Sequence, residues 1–357
     1  MRRGQRTSRR YRGSRSGGMG FLIPLLLVLC AVAAGTLYFI NDNMTFTKDG
    51  AFFSPKKNDD VHEEVNANLI IETDAPTDEG PEIAPPSVQE VGNPSQDDTH
   101  TRSYFVSIGN VKSPELFDAA LAEMPENINT VVLEVKAEDG TLAFSSDSAI
   151  AKNAAVAGDD TCIVSAIEKS RSKGCKVALY MSCFKDNEAA RKNQEYSART
   201  ANKIIWLDGN NVRWLSAYSE SAREYLISAT EKLASFSPDE IILSNISFPA
   251  VGKTEILSYD SSLGSKRDML KSFMEGVVTA AGEIPVSAVY ENYNSARIGE
   301  SGQNAEDFAV FDKIYINSTA DRYTLGFEDA KTLFKDTGCT LIPIAQHSEE
   351  TEFMIKK

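Results

Sequence analysis

Glu240-Ile-Ile-Leu-Ser-Asn-Ile-Ser-Phe-Pro249 decides how the rest of the chain is read. Its first half is a short apolar strand pattern. Its second half turns polar and stops at a proline, which has no N–H for a sheet ladder. This is the form of a barrel strand running into a catalytic loop, yet the loop carries no charge. Comparable runs occur at Ser103 to Ile108, Thr130 to Val135, Lys176 to Ser182, Pro285 to Tyr290, Lys313 to Asn317 and Thr340 to Ala345. Between them, Ser113 to Glu123, Thr161 to Lys173, Glu220 to Ser235, Lys266 to Ala281 and Phe327 to Asp336 place apolar residues at helical spacing. Ser113-Pro114 gives the first of these helices an N-cap serine with proline at its first position.

Strands alternating with helices argue for parallel βα units, and the 257 residues from 101 to 357 suit one (β/α)8 TIM barrel. Only seven strands are evident. The chain reaches Lys357 too soon after the seventh for a helix and a strand of ordinary length. Either Glu352 to Ile355 forms a stunted eighth strand, or the barrel stays open, with edges that need cover or a protein partner.

The first 20 residues form a basic tail holding seven arginines and no acid, and residues 21 to 40 are uncharged and mostly apolar. That length spans a bilayer once, and the flanking arginines place the N-terminus in the cytoplasm and the remainder outside. A cleaved signal peptide competes, but the run is long and Ala31-Val-Ala-Ala is a weak cleavage cue, so a retained signal anchor is favoured. Cys30 follows Leu29 rather than a small residue, which speaks against a lipoprotein. Beyond the tail, 30 basic residues face 51 acidic ones, which excludes nucleic acid as a partner. Residues 41 to 100 hold fourteen acids, three lysines and six prolines, the composition of an extended, disordered linker.

Cys162, Cys175, Cys183 and Cys339 show no CxxC spacing. Cys162 and Cys183 fall near the same rim of a barrel and could pair, or all four could be buried thiols. The three histidines, His62, His100 and His347, make a Ser-His-Asp triad or a His-ligated metal improbable. No phosphate loop or nucleotide fingerprint occurs, so no cofactor and no metal are implied.

Four motifs carry a resemblance. Thr130-Val-Val-Leu-Glu-Val-Lys-Ala-Glu-Asp-Gly140, Ser182-Cys-Phe-Lys-Asp186, the pair Trp206-Leu-Asp-Gly and Trp214-Leu-Ser-Ala-Tyr218, and Ser237 to Pro249 occur in the order and spacing of one family. The chain resembles the glycoside hydrolase domain of bacterial surface proteins, a TIM-barrel group akin to the alpha-amylase-like hydrolases. The resemblance runs over most of residues 102 to 346. It implies an O-glycosyl hydrolase scaffold with its site at the C-terminal ends of the strands. The family's strand-four pattern reads Phe-Asp-Tyr-Ile/Val-Arg-Phe-Pro, and its Asp and Arg fall here on Ser244 and Ser247. A family Asp or Asn becomes Ser216, and a proline becomes Ala217.

Glycoside hydrolysis usually needs two carboxyl groups across the scissile bond. With Ser244 in place of the first, the acids that could reach the mouth are Glu134, Glu138, Asp139, Asp186 and Glu291. Strand alternation puts Glu134 and Lys136 on one face, either as an internal ion pair or with Glu134 as a catalytic group whose pKa Lys136 lowers. Glu138 and Asp139 read first as a solvated loop, and Asp186 can equally cap a helix. Glu291 lies beside Tyr290 and Tyr293, where a sugar could stack. Lys136, Trp206, Trp214, Asn245, Tyr290, Tyr293, Tyr315 and Gln346 are the candidate substrate contacts, with Tyr180 and Asn317 nearby; for any single aromatic, a core role competes.

Three readings follow. The first is a membrane-anchored, extracytoplasmic barrel that has lost its main catalytic acid and binds cell-surface glycan, cell-wall polysaccharide or a protein partner. The second is an active hydrolase using Glu134 with Glu291 or Asp186. The third is a structural cell-surface module. Ser244 and Ser247 favour the first.

Overall fold

The structure, a computed structural model, describes residues 44–47, 50–53, 100–346 and 350–356. The basic tail, the 21–40 anchor, most of the 41–100 linker, His62 and His347 lie outside the described residues. Among those described, no helix is long and apolar enough to cross a membrane. The described residues fall in two units, 44–53 in the first and 100–356 in the second. In the first, Met44–Thr47 and Gly50–Phe53 pair as antiparallel strands, within the segment read as linker.

The second unit is a closed barrel of eight strands. In chain order these are β1 (Arg102–Val106), β2 (Thr130–Lys136), β3 (Lys176–Ser182), β4 (Glu240–Ser244), β5 (Val286–Val289), β6 (Lys313–Asn317), β7 (Thr340–Ala345) and β8 (Phe353–Ile355). Every neighbouring pair is parallel. The helices expected from periodicity are found at Pro114–Ala122, Thr161–Ser172, Glu220–Ala234, Lys266–Ala281 and Phe327–Leu333. The Ser113 hydroxyl accepts from Leu116 N at 3.4 Å, with Pro114 at the first helical position. The reading of β1 ran too far, since Ile108 starts a helical turn, Ile108–Val111.

The open-barrel expectation is corrected. β8 is only three residues long, but all three are buried, and it pairs with β1 through Phe353↔Arg102 and with β7 through Met354↔Ile344. The stunted strand is therefore real, and it leaves the barrel no open edge for a partner to cover. Three residues carry too little alternation to be recognised from sequence.

Strand alternation separates two apolar layers. Val132, Ala178, Tyr180, Ile242, Val289, Tyr315, Ile342, Ile344 and Met354 fill the barrel interior. Val131, Leu133, Val135, Leu179, Leu243 and Ile316 face the surrounding helices. One strand breaks this rule. The β2–β3 register shifts between Glu134 and Lys136, a bulge that inserts Val135 and reverses the side on which Lys136 emerges.

All four domain cysteines are free. Cys183 is fully buried, and burial pushes its thiol up to about 12, while Cys162 is only partly covered at a helix start and lies 3.5 Å from the Lys112 carbonyl. Of the two alternatives the sequence left open, the pairing of Cys162 with Cys183 is not formed; the thiols are free, with Cys175 and Cys183 buried and Cys162 and Cys339 partly covered.

Candidate active site

The C-terminal ends of β2, β3, β4, β5 and β8 bring one set of polar groups together. Glu134, the last inward residue before the bulge, is partly buried, and its Oε2 accepts from Ile108 N at 2.9 Å. Burial raises its pKa above the ordinary range; Lys356 opposes the rise, and Glu138 and Asp139 add to it. The expected downward shift from Lys136 is corrected, because the bulge takes Lys136 to the other side of the sheet.

There Lys136 is 0% exposed. Its Nζ donates to Ser182 O and lies 2.7 Å from Asp186 Oδ2, with the Tyr225 ring 5.8 Å away. Asp186 is equally buried and caps the helix Asn187–Lys192 by accepting from Ala189 N at 2.9 Å. Neither reaches the mouth, so Lys136 is withdrawn as a substrate contact and Asp186 as a catalytic acid. The expected ion pair between Glu134 and Lys136 gives way to one between Lys136 and Asp186.

The organiser of the mouth is Asn245, the residue after β4, which takes φ +54, a left-handed conformation that asparagine tolerates better than most residues. Its side-chain amide donates to Ser182 Oγ at 3.0 Å and to Glu138 Oε1 at 3.3 Å, while its backbone N–H acts on Glu291. Lys185 holds the other oxygen of Glu138 at 2.6 Å. Glu138 is the solvated loop residue expected, its side chain 49% exposed, and it is tied on one side to Lys185 and on the other to Asn245. Glu291, just past β5, is partly buried, and burial followed by repulsion from Glu138 raises its pKa to about 7.

Lys356 completes the set from β8. Its Nζ stands 4.4 Å from the Phe105 ring centroid and 4.7 Å from that of Tyr180, and donates to the Tyr180 hydroxyl at 3.4 Å. Sequence reasoning missed both lysines. Lys185 lay in a quoted motif, and its charge beside Glu138 was the available signal; Lys356 belongs to the strand that was hard to see.

The serines at the substituted positions are enclosed. Ser244 is 2% exposed, donates to Met181 O at 3.4 Å and faces the Tyr180 hydroxyl. Ser247 is 1% exposed, and its Oγ makes no hydrogen bond of ordinary geometry, although the Tyr293 hydroxyl lies toward it. Tyr293 itself is partly buried near Glu291 and Glu138, and burial raises its pKa.

Other aromatic candidates are structural. Trp206 and Trp214 are buried, their indole N–H groups donating to Lys253 O at 2.9 Å and to Asp208 Oδ2 at 3.2 Å. Tyr290 packs outside the barrel, its ring 5.0 Å from those of both Phe308 and Phe334. Tyr315 is interior but sits low, donating to Glu240 Oε1 at 3.1 Å, with Lys313 on the same carboxylate at 3.0 Å. These four are withdrawn as sugar platforms. Gln346 and Asn317 are exposed past β7 and at the end of β6.

A family model described as "Putative glycosyl hydrolase domain" matches residues 103–310. The chain belongs to this family. The matched stretch ends before β6, so the last three strands and Lys356 lie beyond it. No curated protein matches the chain. Among solved structures, a hypothetical protein from Ruminiclostridium thermocellum is 22% identical, covering 52% of this chain and 96% of its own, at a TM-score of 0.46. The GH20 exo β-N-acetylglucosaminidase of Vibrio harveyi is 10% identical over 69% of this chain and 41% of its own, at 0.45. The glycoside hydrolase domain of PelA from Pseudomonas aeruginosa is 12% identical over 69% and 83%, at 0.39.

Ser244 and Ser247, the positions that the sequence resemblance sets against an Asp and an Arg, are thus two enclosed hydroxyls, while burial raises the pKa of Glu291 to about 7. That shift has a measurable consequence. The folded protein holds the proton where the unfolded chain has released it, so this carboxyl makes stability fall as pH rises from the usual glutamate range to about 7. Glu291→Gln is expected to unfold at a higher temperature than the parent at pH 8 and at the same temperature at pH 4, followed by circular dichroism. An equal difference at both pH values would show that Glu291 titrates normally.

Proposed function

We propose that this glycoside-hydrolase-family barrel binds a saccharide chain at its C-terminal mouth without cleaving it. The observation that carries the reading is Ser244, a hydroxyl 2% exposed where the family pattern has a carboxyl. Stabilising an oxocarbenium-like transition state takes an ionised carboxylate facing a proton donor. Glu291 is suited to donate, but Glu138 is tied to Lys185 and Asn245, and Glu134 shares the tendency to hold its proton. Donors without a free ionised partner favour binding over turnover. Asn245, Tyr180 and Tyr293 supply hydrogen-bonding groups and ring faces suited to a sugar.

The apolar run 21 to 40 behind its arginines supports a retained anchor, with the barrel on the outer side of the membrane and residues 41 to 100 as the tether. The glycan in reach would then be cell-surface or cell-wall polysaccharide. A second reading, hydrolysis by Glu291 with Glu134, draws on the raised pKa of Glu291, which suits a general acid near neutral pH.

The test incubates the purified chain with peptidoglycan and a panel of insoluble polysaccharides, following retention and release of reducing ends. Retention without release is the expected result. Release abolished by Glu134→Gln or Glu291→Gln would establish the hydrolase instead, and absence of both retention and release would remove glycan binding.

A further inference from the structure

The end of the barrel opposite the mouth is polar inside. Alternation below Val132, Ala178, Ile242, Val289 and Tyr315 turns Thr130, Lys176, Glu240, Ser287 and Lys313 inward, and the register sets Thr130 against Lys176 and Ala178 against Glu240. A barrel interior is usually filled by layers of branched apolar side chains. Here the lowest layer is short or charged, and a cavity of about 410 Å³ opens there, lined by residues at the starts of six strands, β1 to β6. One water takes up about 30 Å³, so the space is more than a bridging water fills, and it falls in the range of small-molecule pockets, about 300 to 1,000 Å³.

The walls hold both signs of charge, and only part of that charge is matched. Glu240, 4% exposed, accepts from Lys313 Nζ at 3.0 Å and from the Tyr315 hydroxyl at 3.1 Å, while Asp239 accepts from Val177 N at 2.9 Å and has Arg171 at 3.8 Å. Lys176 and Asp312, exposed at the rim, form no ion pair or side-chain hydrogen bond among the described residues. One ammonium and one carboxylate are left uncommitted around the same cavity. A second observation lies deeper. Ser287 is 2% exposed and lines the cavity, yet its hydroxyl makes no hydrogen bond among the described residues. A buried hydroxyl without a partner is costly unless something in the cavity bonds to it.

We propose that this cavity binds a short peptide with both ends free, its carboxylate on Lys176, its ammonium on Asp312 and a polar group on the Ser287 hydroxyl. The rim selects a ligand carrying both charges, since an anion alone would be opposed by Asp312 and a cation alone by Lys176. A glycan is disfavoured, because among the described lining residues Pro285 is the only apolar one and no Phe, Tyr or Trp offers a ring face. The site lies at the other end of the barrel from the mouth and does not depend on the saccharide reading.

The test is calorimetry of the full chain with glycylserine, its N-acetyl form and its C-terminal amide, which carry both charges, the anion alone and the cation alone. Glycylserine is expected to bind at least about tenfold more tightly than either, the effect of one charge-assisted contact. Lys176→Met should weaken glycylserine to the level of its amide, and Asp312→Asn to the level of its N-acetyl form. Ser287→Leu, which fills the cavity, should abolish binding. Circular dichroism verifies the fold of each variant; should Ser287→Leu fail to fold, the two exposed rim positions decide. Equal affinity for the three probes would overturn the two-charge assignment, and no binding of glycylserine would overturn the site. Binding that survives both rim variants unchanged, or that a retained polysaccharide displaces, would put the peptide elsewhere and overturn the assignment to this cavity.

Discussion

Lys136→Met is expected to destabilise the barrel by about 3 to 5 kcal/mol, because it leaves the Asp186 carboxylate buried without its cation. Both side chains are 0% exposed and 2.7 Å apart. The remaining partners of Asp186 are neutral, namely the Ala189 N–H and the Tyr225 hydroxyl at 3.4 Å. In a domain of this size such a loss lowers the unfolding temperature by on the order of 10 °C. The pair also closes a crowded corner, since a Cβ at Gly140, where φ is +93, would stand 2.5 Å from Asp186 Oδ1. Lys136→Met with Asp186→Asn keeps the helix cap and removes the charge, and should recover most of the stability. Thermal unfolding of the two variants is the measurement, and a single variant within about 1 kcal/mol of the parent would contradict the account, because it would mean that Asp186 does not need its cation.

The same pair explains what could and could not be read from sequence. The seven long strands and five main helices were legible because their apolar periods of two and of about 3.6 survive in the linear order. Parity along β2 then failed at one position. A bulge adds a residue without changing composition, so Val-Lys after Glu134 looks like any strand end, and Lys136 was placed in the mouth. Asp186 went with it, being read either as an acid or as a cap, and only the bulge decides for the cap. Tyr290 and Tyr315 were ambiguous for a related reason, as aromatic strand residues carry no mark of which side, or how deep, they pack. Glu138 is the loop acid that the sequence suggests, half exposed, but its partners Lys185 and Asn245 could not be read, because they come from two other strand ends far along the chain.

Restoring both family residues, Ser244→Asp with Ser247→Arg, is expected to produce release of reducing ends at least about a hundredfold above the parent on a glycan that the chain retains, the low end of what positioned acid–base groups contribute. Ser244 is 2% exposed beside the Tyr180 hydroxyl and the Met181 carbonyl, so an aspartate there alone would be desolvated and would keep its proton, useless as an ionised partner. An arginine at 247 supplies the opposing charge that favours the ionised form. Glu291, already protonated near neutral pH, would then face a carboxylate across the mouth, the pairing that glycoside hydrolysis requires. Ser244→Asp alone should therefore be less stable than the pair and show little release. Adding Glu291→Gln to the double variant should abolish release while leaving it folded. A double variant that folds and retains glycan, yet releases no reducing ends, would show that the missing carboxylate is not what separates this barrel from a hydrolase.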